Sequence, residues 1–338
     1  MTLPVWWPRL VITKLAGRRV LFSRARRAVA PDIFMILHWF PDGPAIVRLG
    51  RRWGIPVVAN IIGSKAELLD GGRRIALSRL PKTIKAALQR YQRDRLNQVS
   101  VVTVTGEMTG HWLRTAGISR PIMTMHAAIP VPPADGLRAG RDIDIVFIGR
   151  ADADKRADRL FRVLRSVGSA RPGTTATVVG LSGEAVAGLT DYRAVQDLLG
   201  EGLRILQWVD DVGDVLRRAK VLVVTSDTEG RTLAVLEALA CEAAVVATAV
   251  GDLPEALLGG RAGIAVPLEA EEEGVVEGLA GAILKLLRDE PLRQRLAATG
   301  RAMVEQVHSF EHAQADWQRV LGFCELPGPT KSSILTPT

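Results

Sequence analysis

Lys220-Val-Leu-Val-Val-Thr225, followed without a break by Ser226-Asp-Thr-Glu-Gly-Arg-Thr-Leu-Ala-Val-Leu-Glu-Ala-Leu-Ala240, is the stretch on which the fold turns. The first run is rich in Val and reads as a buried strand; the Leu and Ala pattern after it reads as a helix over Leu233 to Cys241. A strand that feeds a helix through a short polar turn is half of a βαβ unit, and open α/β sheets bind ligands beyond the carboxyl ends of such strands. The amides of Gly230, Arg231, Thr232 and Leu233 are the first donors of that helix and point at whatever anion fills the crevice. Glu229 precedes the helix and Glu237 lies eight positions on, so both fall on one side of it. Ionised carboxylates there accept hydrogen bonds from sugar and ribose hydroxyls. A helix-dipole preference for Glu229 and a solvated face for Glu237 account for the same spacing.

Working outward, Val, Ile and Leu runs alternate with helical patterns through most of the chain, which predicts parallel sheets covered by crossover helices. Expected strands in the first half are Ile33 to His38, Pro56 to Ile61, Ser100 to Thr105 and Ile122 to Met125. In the second half they are Asp144 to Gly149, Thr175 to Gly180, Leu203 to Gln207, Val221 to Thr225 and Ala244 to Thr248. Between them lie helical stretches such as Lys155 to Ser169 and Val212 to Ala219. The Pro- and Gly-rich segment around Ile129 to Gly140 marks an interdomain linker. The division is therefore 1–130 for a first Rossmann-like domain, 131–141 for the linker, 142–325 for a second domain and 326–338 for a flexible tail.

At 338 residues the chain is long enough for about two domains on a prior of roughly 150 residues each. Two cysteines, Cys241 and Cys324, exclude a disulfide framework. No window offers the ~18 apolar residues of a membrane span, and the first ten residues lack a secretory signal, so a cytoplasmic protein is expected. Residues 1–140 carry 22 Lys and Arg against 7 Asp and Glu, whereas 141–338 carry 22 against 29. A basic first half points to an anionic partner. Residues 79–96 place Leu80, Ile84, Leu88 and Tyr91 at helical spacing, with Lys82, Lys85, Gln89 and Arg93 on a different face. This is a basic amphipathic helix. It is either core-packed with a solvated face or, with Arg73 and Arg74, a contact for an anionic membrane surface or a phosphate-bearing substrate.

The second half resembles the retaining glycosyltransferases of family 4, whose two-domain architecture is called GT-B. FIGRADADKRADRL is similar to their strand, Gly-Arg and Lys segment, LQWVDDVGDVLRRAKVLVVTSDTEG to the stretch leading into their donor site, and TLAVLEALACEAAVVATAVGDLPEALLGGRAGIAVP to the remainder of that site. Glu229 and Glu237 match the family's two-glutamate motif. The resemblance implies an α/β chain of two Rossmann-like domains with a donor cleft between them and C-terminal helices returning toward the N-terminal domain. It implies that Glu229 contacts hydroxyls of the donor sugar, that Glu237 contacts the ribose, and that Arg150 and Lys155, near Gly149, hold the donor diphosphate. Glu255 matches a further acidic position, with a helix-terminal role as the competing account. No cofactor and no metal are implied; the donor nucleotide sugar is a substrate. The expected reaction is sugar transfer to a glycan or lipid-linked acceptor in cell-surface polysaccharide or glycolipid synthesis, by a protein peripheral to the inner face of the cell membrane.

Departures from the pattern are as informative. Where the family usually has Gly and Pro after the motif helix, this chain has Glu242 and Ala244, so a side chain is expected at a left-handed helix exit. Residues 31–43 and 56–65 resemble strands of the family's N-terminal domain, and His38, Gly63, Ser64, Lys65 and His126 are candidate acceptor or cleft residues. Ile62 and Lys65 stand where many members carry His and Asp. Residues before Pro31 read as a loop with Trp6 and Trp7 and then a basic helix, so the first domain reads as lacking its first strands. His308 and His312 are four apart, yet without a third ligand they read as structural. Two rival readings remain: a catalytically degenerate GT-B protein that binds a membrane or partner, and nucleic-acid binding by the basic half. The second is disfavoured, because only Tyr91 interleaves with the basic helix.

Overall fold

The computed structural model describes residues 10–13, 31–37, 39, 42–61, 81–133, 140–230, 232–269 and 271–324. The chain divides into two compact units, Met1–His126 with Glu311–Thr338, and Ala127–Phe310. Among the described residues, the first unit holds a parallel sheet of β1 (Leu10–Thr13), β2 (Ile33–Ile36), β3 (Val57–Ile61), β4 (Val101–Val104) and β5 (Ile122–Thr124), paired in that order. Alternate residues of these strands serve opposite faces. Phe34, Ile36, Val57, Ala59, Val102 and Val104 pack with Ile46 and Val47 of α1 (Gly43–Trp53), Leu96 of α2 (Lys82–Leu96) and Leu113 of α3 (Glu107–Thr115). Ile33, Val58 and Val101 face the other way. There they meet Val320 of the terminal helix, Phe310–Gly322, and Cys324 just past it. From Glu311 on, that helix belongs with the first unit, in line with a C-terminal segment returning to it.

Among the described residues, the second unit carries a six-stranded parallel sheet. Its strands are β6 (Ile143–Ile148), β7 (Ala176–Val179), β8 (Leu203–Leu206), β9 (Ala219–Val224), β10 (Ala244–Thr248) and β11 (Ile264–Val266), in the spatial order β11-β10-β9-β6-β7-β8. From β6 the chain builds outward through β7 and β8, then returns to add β9 on the other side. That reversal is the topological switch point at which doubly wound sheets open a crevice. One face is covered by α4 (Ala157–Ala170) and the long helix Glu272–Arg288. The other is covered by helices Val212–Arg218, Leu233–Ala240 and Glu290–Val307. Both sheets are therefore buried on two faces, as parallel sheets require.

Three sequence expectations change. Leu10–Thr13 is a strand beside β2, where the sequence reads as loop; four residues without alternation leave no period to detect. β11 escapes a sequence reading for the same reason, being three residues long. The basic helix α2 does not bury the stripe its periodicity suggests: Ile84 is 50% and Tyr91 38% exposed, and the buried positions are Gln92 and Leu96. The helix docks through a polar contact that a hydrophobicity pattern overlooks, the indole Nε1 of buried Trp39 donating to Gln92 Oε1 at 2.8 Å. In the described residues no helix is long and apolar enough to cross a membrane.

The expected left-handed exit is present. Glu242 has φ +53°, its amide donates to Leu239 O at 3.0 Å and the Ala243 amide to Ala238 O at 2.9 Å, the paired bonds of a Schellman motif. Glu242→Gly and Glu242→Ala both delete the carboxylate, but only glycine relieves the positive φ. Denaturant unfolding is expected to show the glycine variant more stable than the alanine variant by about 1 kcal/mol; equal stabilities would contradict a strained exit.

Candidate functional site

Because β6 and β9 are neighbours, with Val146 opposite Leu222, the loops that leave their carboxyl ends run side by side. The first loop contains Gly149, Arg150 and a 3-10 turn, Ala153–Lys155, before α4. The second runs from Thr225 to Gly230, and beyond it helix Leu233–Ala240 begins at N-cap Thr232. Hydrogen bonds tie the two loops: the Asp227 amide donates to Asp154 O at 2.9 Å, and Thr225 Oγ1 donates to Lys155 O at 2.8 Å. A third strand joins in, Thr248 Oγ1 at the end of β10 donating to Ser226 O at 2.6 Å. Gly251, at φ +53°, supports the second loop from behind: a Cβ there would overlap the Glu229 carbonyl oxygen. Gly180, at φ +95°, stands in the same relation to Gly149 O. Only glycine combines these backbone angles with such close approach.

The side chains expected to act on a donor meet here. Lys155 Nζ lies 2.5 Å from Glu229 Oε1, and Ser226 Oγ donates to the same oxygen at 2.7 Å. The lysine side chain is 21% exposed and the glutamate 9%, so the pair is partly withdrawn from water but reachable. The family resemblance assigns the lysine to phosphate and the glutamate to sugar; in the structure each serves as the other's counter-ion. Arg150 is 80% exposed and pairs with Asp152 at 2.8 Å, a surface contact worth little and easily exchanged for a stronger anion.

Glu237 is half-buried, and burial, then the nearby Asp211 carboxylate, pushes its carboxyl above the ordinary value. The Thr232 side chain makes no capping bond, so no side chain of its N-cap occupies the first amides of helix Leu233–Ala240. Leu233, the first helical residue, is exposed. This end of the sheet thus carries Lys155, Arg150 and Glu229 on its loops and Glu237 in the helix that follows, whose N-terminus lies beyond the second loop.

The remaining candidates fall elsewhere. His126 belongs to the first unit, where its amide and ring Nδ1 both lie 2.8 Å from Asp316 Oδ2. Burial pushes the Asp316 carboxyl up, but the bonds from His126 and Arg319 together hold it below the ordinary range, so this contact anchors the terminal helix. His38, Gly63, Ser64, Lys65 and Arg231 lie outside the described residues. Glu255 sits in the first turn of the short helix Leu253–Ala256. His308 ends its helix fully buried, with Nδ1 3.1 Å from Ala127 O. Sequence reasoning misses Ser226, Thr248 and Gly251, whose roles depend on neighbours from other strands. It also passes over Trp208, 80% exposed just beyond β8; an indole in the polar run QWVDD is the available signal.

Residues 142–289 match the family model described as "Glycosyl transferases group 1". A glycogen synthase of Mycobacterium tuberculosis is 26% identical over 313 residues, which cover 90% of this chain and 70% of that protein. A D-inositol 3-phosphate glycosyltransferase of Mycobacteroides abscessus is 34% identical over 182 residues, 52% of this chain and 37% of that protein. In fold, the chain is similar to Anabaena HepE solved in complex with UDP, with TM-score 0.70 and 14% identity over 90% of this chain and 82% of that one. A family match that spans the second sheet, both loops and the two glutamates, joined to this fold, leads to one conclusion: residues 142–289 are a group 1 glycosyltransferase segment, in a chain with the GT-B fold of its structural neighbours.

Proposed function

We propose that the chain is a retaining transferase that moves a sugar from a nucleotide-sugar donor to a glycan or lipid-linked acceptor in cell-surface polysaccharide or glycolipid synthesis. The observation that carries the donor part is the meeting of Lys155 and Glu229 at the switch point, 2.5 Å apart, in front of a helix N-terminus. A diphosphate is the stronger partner for Lys155, so donor binding exchanges the ion pair: Lys155 and Arg150 take the phosphates and Glu229, still held by Ser226, takes sugar hydroxyls. Glu237 takes the ribose hydroxyls.

In the reaction the bond from the sugar's anomeric carbon to the phosphate oxygen breaks and a bond to the acceptor oxygen forms on the same face. The acceptor's proton passes to the departing phosphate. Negative charge grows on that phosphate as the bond stretches, and in this reading Lys155, Arg150 and the first amides of helix Leu233–Ala240 stabilise it. Fixed donors of this kind need no rearrangement at the moment of reaction, which is why they lower the barrier.

The acceptor side rests on charge. On α2, exposed Ile84 and Tyr91 lie among Lys82, Lys85, Arg90 and Arg93, within the basic residues 73–95. An apolar stripe flanked by cations suits an anionic membrane surface, each basic residue contributing about 1 kcal/mol near it.

Two measurements test this reading. Nucleoside diphosphate release from a panel of UDP-, GDP- and ADP-sugars is expected to fall about 100-fold or more in Glu229→Gln with the fold retained; wild-type rates in that variant would remove Glu229 from the site. In sedimentation with vesicles, the wild type is expected to follow phosphatidylglycerol-containing vesicles and not neutral ones, and Lys82→Glu with Lys85→Glu to abolish this. Equal partition onto both vesicle types would refute a membrane-facing α2.

A further inference from the structure

We infer that Arg159, together with Asp227 and Glu272, is a positioning residue that fixes the two loops carrying Lys155 and Glu229, an inference that rests on the donor-site reading of those two side chains. Arg159 stands in the first turn of α4 with its side chain only 2% exposed. Among the described residues no other fully buried side chain is larger. Its neighbours along the helix, Leu160, Phe161 and Val163, are core residues, so an apolar side chain would suit the surroundings. Instead the position holds a charge that bonds to two other segments of the chain. Nη1 donates to the Thr225 carbonyl at 2.7 Å, Nη2 to Asp227 Oδ1 at 2.9 Å, and Nε and Nη2 fork onto the two oxygens of Glu272 at 2.6 and 2.8 Å.

What these bonds hold matters more than their number. Thr225 and Asp227 flank Ser226, the residue that supports Glu229, and the Asp227 amide and Thr225 hydroxyl are the groups that grip Asp154 O and Lys155 O. One guanidinium therefore fixes the loop that fixes the other loop. Arg156, next to Lys155 and at φ +54° without being glycine, is bound to the same carboxylates: Nη1 donates to Asp227 Oδ1 at 2.9 Å and Nη2 lies 3.0 Å from Glu272 Oε1. A backbone angle unfavourable to a side chain is thus held by ion pairs immediately beside the phosphate-directed lysine. Glu272, the first residue of helix Glu272–Arg288, anchors the whole set to the body of the unit.

Energetics separates positioning from stability as the purpose. Removing two arginines and two carboxylates from water costs much of what their attraction returns, and apolar replacements of such networks are often as stable. What an apolar side chain cannot do is set α4, the Thr225 loop and the start of the Glu272 helix in one register. Transferase chemistry is sensitive to that register, since a misplacement of about 1 Å costs on the order of 100-fold in rate.

The test uses the full chain with Arg159→Lys, which keeps the charge but cannot reach three partners with a planar fork. The kcat per folded molecule for nucleoside diphosphate release is expected to fall at least about 10-fold at a temperature well below unfolding. Hydrogen exchange at the Asp227 amide is expected to accelerate selectively, ahead of amides in the β6 and β9 interior. A merely stabilising arginine would give uniformly faster exchange and an unchanged kcat per folded molecule, and that outcome overturns the inference. Where Arg159→Lys does not fold, Glu272→Gln, at a partly exposed helix end, carries the same two measurements, decided by the same outcomes. Wild type releasing diphosphate from no nucleotide sugar would defeat the donor-site reading instead, while the exchange arm still decides whether Arg159 fixes the loops.

Discussion

The Lys155–Glu229 ion pair exists because β6 and β9 are adjacent, and much of the second unit can be understood as what makes and keeps that adjacency. The two residues are 74 positions apart in sequence. Only a strand order that reverses beside β6 brings the loop after the unit's first strand against the loop after its fourth. Two buried faces hold the strands, and at their carboxyl ends beside the reversal the loops bring Lys155 against Glu229 ahead of a helix N-terminus.

Around that pair the molecule replaces side-chain freedom with backbone support. Gly251 and Gly180 let chain segments approach Glu229 and Gly149 closely, Thr225 and Thr248 cross-link three loops, and the buried arginine of α4 secures them. Donor atoms held in place before the substrate arrives cost no reorganisation later. Lys155 and Glu229 differ from this pattern in being each other's partner: the pair keeps both charges satisfied at modest exposure, and in the proposed function it gives way to a ligand that offers a better anion and better donors. Arg150, at the surface, is the more adaptable of the two cations.

What the sequence discloses depends on the range of the interactions. Runs such as KVLVVT and AVVAT are buried on both faces and show it in composition, and the spacing of Glu229 and Glu237 can be counted. Glu242 at the helix exit is legible for the same reason, since a cap is a local structure. β1 and β11 are too short to display a period. The docking face of α2 depends on Gln92 meeting an indole 53 residues away, so its hydrophobic stripe misleads. Gly251 reads as an ordinary turn glycine until the Glu229 carbonyl is seen behind it, and Arg159 as one more surface charge until partners from positions 225, 227 and 272 surround it.

The central claim is that donor binding exchanges the Lys155–Glu229 pair for a diphosphate and a sugar. A crystal structure of the wild-type chain with a hydrolysis-resistant nucleotide sugar tests it most directly. Lys155 Nζ and Arg150 are predicted to lie on phosphate oxygens, with Glu229 turned to a sugar hydroxyl and still bonded to Ser226. A donor bound away from the ends of β6 and β9, with Lys155 still on Glu229, would contradict it.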